Sequence, residues 1–446
     1  MVNTKEISRV EQLNNRGIFF VKTQQEKEAL KYFNRAIDDN SDYLGSYFNK
    51  AIVFKALQKF EEAIGCYDII LRKDPRQGQA YFEKANILFF NKNDVKTAVE
   101  LYNKAVFLGV KNPEIYFCIG LCCEATGSRT DELKWIERAI KLDNKRTDFI
   151  LKQAETLIAL GRYSEAIKSY DKVLMLDADN EAAYHYKIKL LGVQGKYNEA
   201  FKVLSFGEDL MGEKVMFQYD KALLFENQQK FEEAYDAIQK GLEINEDNIK
   251  LLIKKGSLLI SLNRCPEAKA SFEKVIALDP DSIEGCFNMA GVCFILDEFE
   301  EALVLYESII LKTKDNPYKI NCYYYKALTL KKLGKTLETE RAYDFALKYY
   351  NITLVEYPYD VKLILMKANT LRDIGRYNQA EELYAYIIDL DKKMAEAYFN
   401  RAKNFKLLCK IDETKRALEC AIAINPGYKK IIELDENLKG YIKSSK

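Results

Sequence analysis

Residues 47–75 read YFNKAIVFKALQKFEEAIGCYDIILRKDP, two short amphipathic segments and the turn between them. Tyr47, Ala51 and Phe54 fall on one face of the first, and Ala63, Tyr67 and Ile70 on one face of the second. Spacings of three and four are the helical period, so each segment carries an apolar stripe that it cannot bury alone. The pattern recurs with starts near 10, 44, 78, 113, 147, 181, 215, 249, 283, 320, 361 and 395, mostly 34 residues apart. A chain built this way buries its stripes only by stacking each helix pair on the next. The expected fold is all-α, a solenoid of antiparallel helix pairs over residues 10–428, with a lead-in at 1–9 and a C-terminal capping helix and basic tail at 429–446.

Two positions in each unit are small. The eighth is Gly17, Ala51, Ala85, Gly120, Ala154, Ala222, Gly256, Ala290, Ala327, Ala368 or Ala402, with Ile188 the large exception. The twentieth is Ala29, Ala63, Ala98, Ala166, Ala200, Ala234, Ala268, Ala302 or Ala380, and Ala346 if the long repeat's extra residues precede it. Glycine in a helix costs roughly 0.5–1 kcal/mol against alanine, so its use there argues for close backbone approach. Phe33, Tyr67, Tyr102, Tyr170, Phe272, Tyr306 and Tyr384 fill the space between neighbours. Pro75, Pro280, Pro358 and Pro426 stand where second helices stop. Gly161, Gly195, Gly334 and Gly375 fall at the turn inside a unit, where positive φ is accommodated.

Three places depart from the pattern. Ile188, Gly207 and Gly212 predict a local splay or bend in the unit at 181. Three extra residues in LKTKDNPYK predict a longer turn after the unit at 283. Seven extra around TLETERA, about two helical turns, predict longer helices in the unit at 320. A final amphipathic helix is expected from Gly427 to Lys446, with Ile431, Ile432, Leu434, Leu438 and Ile442 covering the last unit.

This pattern resembles the tetratricopeptide repeat family, whose period is 34 with two helices per unit. The resemblance implies about twelve repeats in a right-handed superhelix whose first helices line a concave groove. In that family the second, fifth, sixth, ninth, twelfth and thirteenth residues face the groove. The resemblance therefore implies an early surface of Phe48, Asn49, Phe82, Asn86, Phe89, Phe90, Phe117 and Leu121, aromatic with interspersed amides. The late surface would present Lys331, Lys332, Lys362, Asn369, Arg372, Asn400, Lys403 and Lys406, which is basic. Asn15, Asn49, Asn288 and Asn400 share the sixth position, where an amide can read a peptide backbone as in some relatives' asparagine ladders. The co-chaperone clamp for a terminal carboxylate is absent at the amino end. Asn49 matches its second-unit asparagine, but Asn14, Ile18, Gln79 and Glu83 occupy the other positions.

Candidate chemistry reduces to structural explanations. His185 is the single histidine and is read as a satisfied groove residue. Cys118, Cys122 and Cys123 lack a second ligand pair nearby and read as small apolar helix residues. Gly334-Lys335-Thr336 has Thr329 in place of a phosphate loop's first glycine and follows a helix. The run DDNSD at 38–42 has Tyr43 where a calcium loop requires glycine. Glu61–Glu62, Glu232–Glu233 and Glu300–Glu301 recur where second helices begin, which the helix dipole favours.

Composition narrows the function. The 68 basic and 67 acidic side chains nearly cancel, against the basic excess of a general nucleic-acid binder. The amino terminus lacks a signal peptide's apolar core, and the longest apolar runs fall well short of the roughly 18–20 residues of a membrane span. Ten cysteines at no disulfide-framework spacing suit free thiols in a reducing compartment. The expectation is a soluble, cytoplasmic, non-enzymatic scaffold holding a protein or extended peptide, apolar and acidic, with no cofactor, metal, nucleic acid or membrane. The alternatives are an RNA-binding helical-repeat protein, and a docking or regulatory subunit of a separate enzyme or chaperone complex.

Overall fold

The computed structural model describes residues 8–313 and 317–442. They form α-helices joined by short turns and one terminal 3-10 turn, with no β-strand among them. The chain divides after Glu213 into two units. The first holds six helix pairs: α1 (Arg9–Lys22) with α2 (Glu26–Asp39), α3 (Leu44–Ala56) with α4 (Phe60–Lys73), α5 (Gly78–Lys92) with α6 (Val95–Phe107), α7 (Pro113–Ala125) with α8 (Arg129–Leu142), α9 (Thr147–Ala159) with α10 (Tyr163–Leu176), and α11 (Glu181–Val193) with α12 (Tyr197–Met211). The second holds α13 (Val215–Asn227) with α14 (Phe231–Ile244), α15 (Ile249–Ser261) with α16 (Cys265–Leu278), α17 (Ile283–Ile295) with α18 (Phe299–Lys312), α19 (Pro317–Lys332) with α20 (Thr336–Glu356), α21 (Val361–Asp373) with α22 (Tyr377–Leu390), and α23 (Ala395–Leu407) with α24 (Ile411–Ile424). It ends in α25 (Gly427–Leu434) and a 3-10 turn at Lys439–Tyr441. Inside each unit every helix packs on the next along the chain, the arrangement expected of stacked pairs.

The small positions do the work read from them. Ala51, Ala85, Ala154, Ala290, Ala368 and Ala402 are fully buried, as are Ala63, Ala166 and Ala268 on the second helices. At Gly17 and Gly256 a neighbouring ring occupies the methyl's place. A Cβ on Gly256 would lie 2.4 Å from Phe272, and one on Gly17 would lie 2.4 Å from Phe33. Helix propensity alone makes Gly256→Ala a gain of about 0.5–1 kcal/mol. Overpacking against Phe272 reverses the sign, and a loss of about 1–3 kcal/mol is expected. Chemical denaturation of the G256A protein checks it, with hydrogen exchange along α15 and α16 locating the loss.

The turn inside each unit uses a left-handed residue. Gly161, Gly195, Gly334 and Gly375 have positive φ as expected, but Gln24, Gln58, Asn93, Gln229, Asn263, Asp297 and Cys409 do too. Helix pairing imposes this conformation even where a side chain resists it. The turn between units is fixed by an acid or amide. Asn40, Asp74, Asp143, Asn245, Asp279, Asp391 and Asn425 each accept a hydrogen bond from the backbone N–H two residues on.

The irregular places resolve as follows. With Ile188 at the close-approach position, α11 and α12 share less backbone contact than the two helices of any other pair, and the boundary between units follows Gly212. The longer turn expected after the unit at 283 falls at residues 314–316, outside the described residues. The unit at 320 does contain a long helix: α20 has 21 residues where most second helices have 14. The extra residues follow the twentieth position instead of preceding it. Thr339 occupies that position and Tyr343 packs with Ala327, while Ala346 packs one turn further on with Ile320 and Tyr350.

The single terminal helix expected to Lys446 is two pieces. It stops at Leu434, and Asp435 accepts from the N–H of Asn437 to turn the chain. Ile432 and Leu438 are buried against Phe399, Phe405 and Leu418, whereas Ile431 and Leu434 are exposed. The turn brings Leu438 onto the core, which a straight helix would carry past it.

Candidate binding surface

First helices of consecutive pairs lie side by side, so residues from successive units meet on one face. Lys55 of α3, Phe82, Asn86 and Phe90 of α5, and Glu114, Phe117 and Cys118 of α7 line a pocket of ≈ 320 Å³ in the first unit. Phe82 is buried against Tyr102, and Phe117 stacks on Phe149 with ring centroids 4.6 Å apart. Phe90 stands 57% exposed at the rim, an aromatic edge open to solvent. The Asn86 side-chain oxygen accepts from the Tyr102 hydroxyl at 2.7 Å, which fixes the amide and leaves its NH₂ as the donor side. Phe48 lies edge-on to Tyr67, and Asn49 donates to the Asn14 side chain of the preceding unit at 3.0 Å.

A pairing rule links neighbouring repeats. The twelfth residue of one first helix meets the sixth of the next, 28 positions on. Lys55 pairs with Glu83 at 2.6 Å, Lys152 with Glu124 at 2.7 Å, Lys254 with Glu226 at 3.0 Å, and Arg372 donates to Asn400 at 3.2 Å. The sequence carries the signal as complementary side chains at that separation, in either order of charge. At those rungs the polar groups already have intramolecular partners, so the amide ladder expected from Asn49 and Asn400 is partly engaged within the chain.

In the second unit, Asn369, Arg372 and Asn400 form one network. Arg372 is bound to Asp373 at 2.9 Å and reaches Asn369, Tyr384 and Asn400, while Tyr384 donates to Asn369 at 2.7 Å. Tyr324 donates to the other oxygen of Asp373 at 2.9 Å. Asn369 and Asn400 are buried, and Asp373 neutralises the Arg372 charge, so this residue is a structural centre more than an open cation. Lys403 sits beside it, its ammonium 4.3 Å from the centre of the Phe399 ring. Burial, then the nearby Arg372 charge, pushes the Lys403 ammonium below the usual lysine value, against Asp435 and Asp373. Lys331 lines a depression of ≈ 350 Å³ with Glu340, Tyr343 and Asp373. Asn288 and Lys406 are half-buried on α17 and α23.

The other candidate chemistry is accounted for locally. Cys118 and Cys122 are buried, and burial pushes their thiols up to about 11 and about 12, which disfavours the reactive thiolate. Cys293, Glu298 and Glu301 cluster closely enough to suggest metal ligands, but Lys269 bridges the two carboxylates at 2.7 and 2.8 Å. Gly334-Lys335-Thr336 is the turn into α20, and the paired glutamates occupy the first turns of α4, α14 and α18. His185 lies edge-on to Tyr186.

Tetratricopeptide repeat family models match residues 48–113, 148–180, 217–248 and 249–282, and the matched segments coincide with helix pairs of the fold above. The chain belongs to the tetratricopeptide repeat family. Among curated relatives it is 27% identical over 183 residues to TPR repeat-containing protein MJ1428 of Methanocaldococcus jannaschii, covering 38% of this chain and 31% of that protein. It is 29% identical over 114 residues to Hsp70-Hsp90 organizing protein 3 of Arabidopsis thaliana, covering 26% of this chain and 20% of that protein. The chain thus spans about a third or less of the length of these relatives. Of solved structures, a chain of the APC/C hetero-tetramer Cut9-Hcn1 superimposes with a TM-score of 0.44 at 14% identity, over 98% of this chain and 97% of that one. No helix among the described residues is long and apolar enough to cross a membrane.

Proposed function

We propose that this tetratricopeptide repeat chain is a non-enzymatic scaffold that holds a protein partner, through an extended segment, on its first-helix face. The observation that carries the reading is the pocket where Phe82, Phe90 and Phe117 from neighbouring units converge around the Asn86 amide. Aromatic walls accept an apolar side chain, and an amide NH₂ can hold the adjoining peptide carbonyl. Lys55, beside that pocket, is paired across a rung with Glu83, so recognition there rests on shape and apolar contact. Lys403 and Lys406 in the second unit supply the attraction for acidic residues. The near balance of charge favours a protein over RNA. A cytoplasmic setting accords with ten free cysteines.

The test is capture and identification of the partner from native lysate, followed by titration of the mapped peptide at rising salt. Phe82→Ala is expected to weaken binding by about tenfold or more, the scale of losing a buried aromatic anchor. Lys403→Glu is expected to weaken it mainly at low salt. An acidic peptide whose affinity ignores Lys403→Glu removes the basic half of the proposal. Co-purifying RNA displaced by neither variant replaces the reading with nucleic-acid binding.

A further inference from the structure

The long helix α20 carries more than the stacking requires. Its inner face, Thr339, Ala342, Tyr343, Ala346, Leu347 and Tyr350, is buried. Its opposite face presents Phe345 49% exposed, Ile352 59% and Val355 85%. Two of these three lie in the added turns, where a helix extended only for solubility would carry polar residues. Tyr323 of α19 stacks behind Phe345 and Tyr349, at 5.5 and 5.3 Å between centroids, and holds those rings in place. Arg341 and Glu356, both exposed, mark the two ends of the stripe.

The centre of the stripe and its flanking charges are complementary to themselves when run antiparallel. With a two-fold axis between residues 348 and 349, Phe345 faces Ile352 of a second copy and Arg341 faces its Glu356. The same two contacts repeat on the other side of the axis. Residues 341 and 356 are about 22 Å apart along the helix at 1.5 Å per residue, so the charged pairs flank the apolar centre. Lys348, near the axis, can turn its ammonium to water while its methylenes cover the rings.

We propose that this outer face of α20 is a dimerisation surface that joins two copies of the chain by antiparallel helix packing. Such an isologous contact closes on itself and leaves the first-helix face free for a partner. The surface is separate from the pocket of Phe82 and does not depend on the function proposed for it.

The experiment is sedimentation equilibrium of the full chain, with four surface variants whose folding is checked by circular dichroism. The wild type is expected to dimerise, and Phe345→Asp to be monomeric. Arg341→Glu and Glu356→Arg are each expected to weaken association by about tenfold or more, because each places like charges opposite one another twice. The combined Arg341→Glu/Glu356→Arg protein is expected to recover the wild-type constant. A wild type that stays monomeric at every concentration overturns the proposal and leaves the stripe to a different protein. A dimer that ignores the single reversals, or a double variant that does not recover, overturns it as well.

Discussion

Asp373→Ala is expected to cost the second unit about 3–5 kcal/mol, the scale for leaving one partner of a buried ion pair alone. The Arg372 and Asp373 side chains are 13% and 15% exposed, so water replaces little of what is lost. Arg372 would keep only the neutral oxygens of Asn369, Tyr384 and Asn400, at 3.2–3.4 Å. The buried Tyr324 hydroxyl would lose its acceptor at the same time. Asp373→Asn returns an acceptor to Tyr324 without the charge and is expected to fall between. Removing both charges, as Arg372→Leu with Asp373→Leu, is expected to cost less than Asp373→Ala alone. Repeat arrays need not unfold in one step, so hydrogen exchange along α21 and α23 is the decisive readout.

The second large effect is expected in α8. Glu132 stands at the twentieth position, where most units have alanine, and its side chain is fully buried. It accepts from Thr156 at 2.8 Å and from Arg129 at 2.8 Å, with Lys152 at 3.8 Å. Arg129→Ala leaves the carboxylate buried with its closest cation gone, and a loss of about 3 kcal/mol is expected. Glu132→Ala removes the charge and installs the residue common at this place, so it is expected to cost clearly less. Denaturation of both variants, read by exchange in α7–α9, checks the order; a larger loss for Glu132→Ala than for Arg129→Ala refutes this account.

Much of the candidate surface was legible and part of it was not. Phe82, Asn86 and Phe117 could be assigned to one face because a fixed period puts equivalent residues in equivalent places. The resemblance places Arg372 on an open basic surface, and the sequence does not show its pairing with Asp373 because adjacent residues on an ideal helix point apart. The long arginine side chain nevertheless folds back to reach it. The bridges of Lys55 to Glu83 and Lys254 to Glu226 went unread because no single unit contains both ends.

The sequence by itself determined the helix pairs, their number and their order. A stripe every three or four residues within a 34-residue period has no other way to leave water. Only the tertiary structure decided which charges are neutralised across neighbouring units and where the extra turns of α20 project. It also decided that Gln24, Gln58 and Cys409 adopt a backbone conformation that favours glycine. Those outcomes depend on distances between groups far apart in the chain, and they are set when the helices pack.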